Sequence, residues 1–194
     1  MSMLPEDNAF PLPDDLPAPQ DDGGCRHLGG MALPHTTLRS TAGRDVDLSQ
    51  LTGRTVVYCY PRTGRPGVAL PTGWNGIPGA RGCTPESCGF RDHYRELAER
   101  GATAVFGFST QDTDYQREAA GRLHLPFELL SDSDLKFVNA LKLPTFEVDG
   151  MTLVKRLTLI IRDGAIEHVF YPVFPPDGHA AEVLGWLGSN PLRG

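Results

Sequence analysis

The chain has 194 residues, 40% hydrophobic and 22% charged, the proportions of a globular domain built on one core. Its 18 Lys+Arg against 24 Asp+Glu give a formal charge of −6 with no basic run, which excludes nucleic acid as the main partner because phosphate contacts need clustered cations. No apolar stretch approaches the roughly 20 residues that span a bilayer, and MSMLPEDNAF lacks the charged start and apolar middle of a secretory signal, so a soluble, cytoplasmic protein with no membrane partner is expected.

Residues 1–34 read as an extended acidic arm, with Pro5, Pro11, Pro13, Pro17 and Pro19 and little periodicity. Phe10, Leu12 and Leu16 are the side chains through which it could pack on the body. The body, residues 35–194, opens into a buried strand over Thr55–Tyr60, bounded by Gly53 and Pro61. Residues 62–81 then hold five glycines and three prolines, too long a stretch for an ordinary connection. A helix is predicted from about Pro85 to Arg100, with Phe90, Tyr94, Leu97 and Ala98 on one face. Next come a strand over Ala104–Phe108 and a helix to about Leu123 opened by a Thr113-x-x-Gln116 capping box. A short strand over Phe127–Leu130 and a short helix over Asp134–Leu141 follow. Arg156–Ile161 and Ala165–Tyr171 form a hairpin around Arg162-Asp163-Gly164, and a last helix runs from His179 to Leu187 with Asp177 as its cap. This order predicts an α/β fold: a central mixed sheet flanked by helices. In such sheets ligands bind beyond the carboxyl ends of the strands, where the long 62–81 loop lies.

Four cysteines stand at positions 25, 59, 83 and 88. In a cytosolic chain of this size catalytic, redox or metal roles precede a disulfide framework. Thr84-Pro85 predicts a helix opening with a capping hydroxyl followed by proline. Cys83 then sits at the helix N-terminus, where free N–H groups and the macrodipole favour a thiolate, the reactive form. Glu86 opposes this, so a nearby cation is required. Cys88 lies five residues on. In an intact helix that places the Cα atoms roughly 8–9 Å apart, beyond the limit of about 7 Å for a disulfide, and turns the two thiols to different faces. The pair reads either as a redox couple or as two small buried hydrophobes. Zinc is disfavoured because Cys83, Cys88 and His93 spread around the helix and no CxxC or HxxxH accompanies them. Cys59, mid-strand between tyrosines, reads as core, and Cys25 as an idle loop thiol.

Tyr60-Pro61 and Gly82-Cys-Thr-Pro-Glu-Ser-Cys-Gly-Phe-Arg-Asp92 resemble the active-site region of peroxiredoxins, most of all the Q-type or bacterioferritin-comigratory branch. The resemblance runs from about Leu33 to Leu187, including Leu129-Leu130-Ser131-Asp132 and Ile166-Glu167-His168-Val169. It implies a thioredoxin-like fold, a peroxidatic Cys83, a resolving Cys88 and an active-site arginine at Arg156. The implied activity is a thiol peroxidase acting on hydrogen peroxide and organic hydroperoxides, recycled by thioredoxin or a glutaredoxin. It requires no metal, haem or flavin, and no dinucleotide or P-loop motif is present. Oligomeric state is left open.

One departure stands out. The family pattern Pro-x-x-x-Thr-x-x-Cys is broken: Ala80 and Gly76 occupy the motif positions before Cys83, and Pro61 and Thr63 stand upstream of the 62–81 insertion. Pro61 is expected to keep its place at the strand end. The hydroxyl beside the sulfur comes from Thr63 or from Thr84. The insertion, with Trp74 and Ile77, is a lid, a substrate wall or a surface excursion. Two rival functions use the same residues: a thiol–disulfide oxidoreductase and a metal-binding thioredoxin-like protein.

Overall fold

The computed structural model describes residues 12–193. Its main sheet has seven strands. The three parallel ones are β3 (Arg54–Cys59), β4 (Ala102–Ser109) and β5 (Glu128–Ser131). Around them lie β1 (Thr37–Ser40), β2 (Asp45–Asp47), β8 (Leu157–Arg162) and β9 (Ala165–Phe170), giving the spatial order β2-β1-β5-β4-β3-β8-β9. A separate antiparallel hairpin joins β6 (Thr145–Val148) to β7 (Met151–Val154). The helices are α1 (Cys83–Asp92), α2 (Tyr94–Glu99), α3 (Thr113–Arg122), α4 (Lys136–Leu141) and α5 (His179–Ser189). The mixed sheet flanked by helices expected from the sequence is present. The short strands β1, β2, β6 and β7 were not predicted.

β3 divides the core. Strand residues alternate between faces, so Val57 and Cys59 join Leu28, Phe108 and Leu159 in one layer, while Val56, Tyr58 and Tyr60 face Cys83, Phe90 and Leu97 in the other. The aromatic run of β3 therefore forms the platform for α1. Tyr58 stacks on Phe90 with ring centroids 4.4 Å apart, and its hydroxyl donates to Ser87 Oγ at 3.0 Å.

Local chemistry corrects several boundaries. The helix predicted over 85–100 is two helices, broken at His93 (φ −97, ψ 6). Its N-cap is Gly82, not Thr84. Gly82 has φ +108, and a Cβ there would lie 2.3 Å from Pro176 Cγ, so glycine is required for backbone and space alike. Pro85 falls in the first turn, where its missing N–H leaves no bond unmade. The capping box fails too. The Asp112 carboxylate takes the Tyr115 N–H at 2.8 Å, and Gln116 is buried, donating to Ser109 Oγ and Leu130 O at 2.8 Å each. Helix α5 is capped by Gly178 without a side-chain bond, because Asp177 lies inside a 3-10 turn that runs into the helix.

The second half of the arm belongs to the core. Cys25, Leu28 and Leu33 are buried in the main cluster, Gly30 N–H donates to Ile166 O at 2.8 Å, and Ala32 bridges to Ala165. Leu12 and Leu16 are half-buried, whereas Phe10 lies outside the described residues. The 62–81 insertion is anchored as well. Trp74 and Ala80 are buried against Val148 and Leu153 of the β6–β7 hairpin, a small third core that Ile77, Phe146 and Met151 complete.

Candidate active site

The site sits where β3 ends. Pro61 is buried just past the strand, and the backbone N–H of Arg62 faces the Cys83 thiol closely enough to lower its pKa. Thr63 is buried with its main chain held on both sides: its N–H donates to Gln111 Oε1 at 3.2 Å, and its carbonyl accepts from Tyr115 OH at 2.9 Å. Its own hydroxyl has no protein partner. The insertion thus leaves Pro61 and Thr63 buried at the end of β3, flanking the residue whose main chain acts on the thiol. Thr84 is also buried, as the second residue of α1.

Cys83, the first residue of α1, is 3% exposed. Arg156 precedes β8 and reaches across the sheet end to the thiol. Its Nη2 lies 3.2 Å from Cys83 Sγ and also donates to the carbonyls of Ala80 at 3.1 Å and Arg81 at 3.3 Å. Its Nη1 pairs with Glu86 Oε2. One guanidinium therefore binds the sulfur, the first turns of α1 and the end of the insertion. A planar fork with five donors can do this; a lysine cannot.

The electrostatics at the sulfur pull in both directions. Burial pushes the Cys83 thiol above its ordinary value; the Arg156 charge pulls it down, the Glu86 carboxylate raises it, and the Arg62 N–H lowers it. Dehydration of the closed site thus works against the cation and the helix terminus that favour the thiolate. Glu86 is fully buried and its carboxyl is pushed up to about 7 by desolvation, against the attraction of Arg156. Sequence reading marked Glu86 only as an unfavourable charge. That it is the ion-pair partner of Arg156 had no local signal, since 70 residues separate them.

Cys88 is half-buried in the unbroken α1, its thiol raised chiefly by burial. None of the four cysteines is in a disulfide. With the helix intact the pair stands at the roughly 8–9 Å Cα separation of five helical steps, so closure requires the first turns to unwind. Cys25 and Cys59 lie in the other core layer, both thiols pushed up by burial, Cys25 to about 12. They are inert by position. Among the described residues no three His, Cys, Asp or Glu side chains cluster as metal ligands, and no helix is long and apolar enough to cross a membrane.

A family profile described as Redoxin matches residues 28–184. The putative chloroplastic peroxiredoxin Q of Oryza sativa subsp. indica is 35% identical over 162 residues, 82% of this chain and 66% of that protein. The chain thus spans just under two thirds of that relative. A putative peroxiredoxin bcp of Coxiella burnetii is 30% identical over 165 residues, 81% of this chain and 97% of its own length. Among solved structures, peroxidoxin BcpB of Mycobacterium tuberculosis superposes with a TM-score of 0.68 at 27% identity, covering 87% of this chain and 100% of that one. With a thioredoxin-like sheet, a cysteine opening α1 and an arginine on its sulfur already in place, the chain belongs to the peroxiredoxins, in the branch of peroxiredoxin Q and the bacterioferritin comigratory protein.

Proposed function

We propose that the protein is a thiol-dependent peroxidase in which Cys83 is oxidised and Cys88 resolves the product. The observation that carries this reading is the Arg156 Nη2 placed 3.2 Å from the Cys83 sulfur at a helix N-terminus. The thiolate attacks one peroxide oxygen; an S–O bond forms as the O–O bond breaks. Sulfur loses two electrons, and the leaving oxygen takes up the proton the thiol released, departing as water or an alcohol. Arg156 stabilises the developing charge on that oxygen, and the buried Thr63 hydroxyl, with no protein partner, is the second donor in this reading. The first turns of α1 then unwind, Cys88 attacks the sulfenic sulfur, water leaves and a disulfide forms.

An external dithiol, thioredoxin or a glutaredoxin, reduces that disulfide by exchange. Hydrogen peroxide and organic hydroperoxides are the substrates. A reducing compartment such as the cytoplasm suits this cycle. The rival reading as a general thiol–disulfide oxidoreductase fits less well, because the two sulfurs cannot meet while α1 is folded. The test is peroxide consumption coupled to thioredoxin. Cys83→Ser abolishes turnover, and Cys88→Ser reacts once and stops. Full turnover by the first variant ends the reading; normal cycling by the second removes Cys88 from it.

A further inference from the structure

Thr63 stands 20 residues before Cys83 with the insertion between them, so chain connectivity does not set the distance from its hydroxyl to the sulfur. The residues around it are tied instead, one after another, to α3 and to the turn that enters that helix. The Arg62 guanidinium lies 5.0 Å over the Tyr115 ring, and that of Arg65 lies 5.9 Å over the same ring. The Thr63 N–H donates to Gln111 Oε1 at 3.2 Å, and its carbonyl accepts from Tyr115 OH at 2.9 Å. At the far end of α3, Arg122 Nη2 donates to the Gly64 carbonyl at 2.9 Å. Gln111 is in turn fixed to the sheet. Its N–H donates to Ser109 Oγ at 3.3 Å, and its carbonyl accepts from Ser131 Oγ at 2.6 Å. These two serines end β4 and β5 and are paired across the strands.

Satisfying one buried N–H takes one hydrogen bond. Here four consecutive residues, Arg62 to Arg65, are held along one helix, and Thr63 is gripped at both its N–H and its carbonyl. That fixes the main chain on either side of its Cα, and so the direction in which its side chain leaves. The hydroxyl itself is buried and, among the described residues, has no hydrogen-bond partner, the sulfur included. A donor fixed in place with nothing to donate to is preorganised for a charge that develops later. The residue before it is the one whose main chain faces the Cys83 thiol. We propose that Gln111 and Tyr115 are positioning residues for the Thr63 hydroxyl, doing through space what a short motif would do through the chain. The proposal rests on the peroxidase reading above, in which that hydroxyl meets the peroxide.

The experiment is a double-mutant cycle read as the second-order rate of Cys83 oxidation by hydrogen peroxide, with alkylation of Cys83 by iodoacetamide as the control. Thr63→Val removes the hydroxyl and lowers the peroxide rate about a hundredfold. Gln111→Leu lowers it about tenfold and Tyr115→Phe about fivefold, because the hydroxyl is present but displaced. Added to Thr63→Val, either change costs less than about a further twofold, since the group it places is gone. Alkylation needs no donor at the leaving oxygen, so in each single variant its rate stays within about twofold of the wild type; a general disturbance of α1 would slow both reactions. If Gln111→Leu does not fold, Tyr115→Phe decides alone, because it keeps the ring of a half-buried residue. Peroxide rates within about twofold of the wild type, losses that multiply with that of Thr63→Val, or an equal fall in alkylation overturns the proposal. Full peroxide reactivity in Thr63→Val also overturns it and leaves the peroxidase reading standing; a wild-type Cys83 that does not react with peroxide removes both.

Discussion

The two sides of Arg62 are built on opposite plans. On the thiol side the strong charges are buried and paired, Arg156 with Glu86 and the sulfur, on a helix locked to the sheet by the Tyr58–Phe90 stack, while Glu86 Oε1 and Arg156 Nε keep no hydrogen-bond partner. On the insertion side the packing is a small core around Trp74, and Val68 and Leu70 are exposed. A dehydrated, matched site fixes the geometry of a reaction. A small, partly exposed core constrains the chain less. The thiol side is therefore expected to be sensitive to single substitutions in folding and rate together, and the insertion side to loosen locally with little change in global stability.

The sharpest break of this contrast is Arg156→Met. It leaves Glu86 buried without its cation and the leaving oxygen without its donor. The loss expected is about 3–5 kcal/mol in denaturant unfolding and about 10²–10³-fold in kcat/KM with hydrogen peroxide. If stability is unchanged, the pair is not the clamp described. Gly82→Ala comes next. The strained φ and the clash with Pro176 predict a loss of about 1–3 kcal/mol, with peroxide turnover reduced as Cys83 is displaced.

Glu86→Gln tests the electrostatics with less effect on folding. The carboxyl is pushed up from 4.5 to about 7 in the folded protein. Its contribution to stability is therefore fully present below pH 4.5 and lost as pH rises through about 7. The glutamine variant flattens this dependence. It also removes a negative charge beside the sulfur, so the Cys83 pKa falls, read as faster alkylation by iodoacetamide near neutral pH. An unchanged alkylation profile would detach Glu86 from the thiol. Smallest in global stability is Trp74→Ala. It loosens the insertion from the hairpin, so proteolysis within residues 64–80 accelerates while the unfolding midpoint of the main sheet shifts little. A large midpoint shift would make the insertion part of the main core.

Much of the frame was legible because its signals are local. The apolar runs of β3, β4 and β8 read as strands, and Asp163-Gly164 as a hairpin turn, with φ +49 and +80 in the structure. Strands β1 and β2 have only four and three residues, too few for alternation to stand out. The motif Thr113-x-x-Gln116 misled because Asp112 offers the helix a charged acceptor one residue earlier, and Gln116 finds two buried partners. At the site, Cys83, Cys88, Arg156, Pro61 and Thr63 were named from their resemblance to a family. The roles of Glu86, Gln111 and the Arg62 main chain depend on partners tens of residues away.

The sequence alone determined which side chains could do chemistry here, and that a cysteine would open a helix past a strand end, because capping, periodicity and turn preferences act over a few residues. Only the tertiary structure decided that the insertion folds onto the β6–β7 hairpin instead of carrying Thr63 off. It alone decided that Arg156 meets both Glu86 and the sulfur, and that burial opposes the charges acting on the thiol. Burial and long-range charge pairing are properties of the packed chain, and no short window of residues contains them.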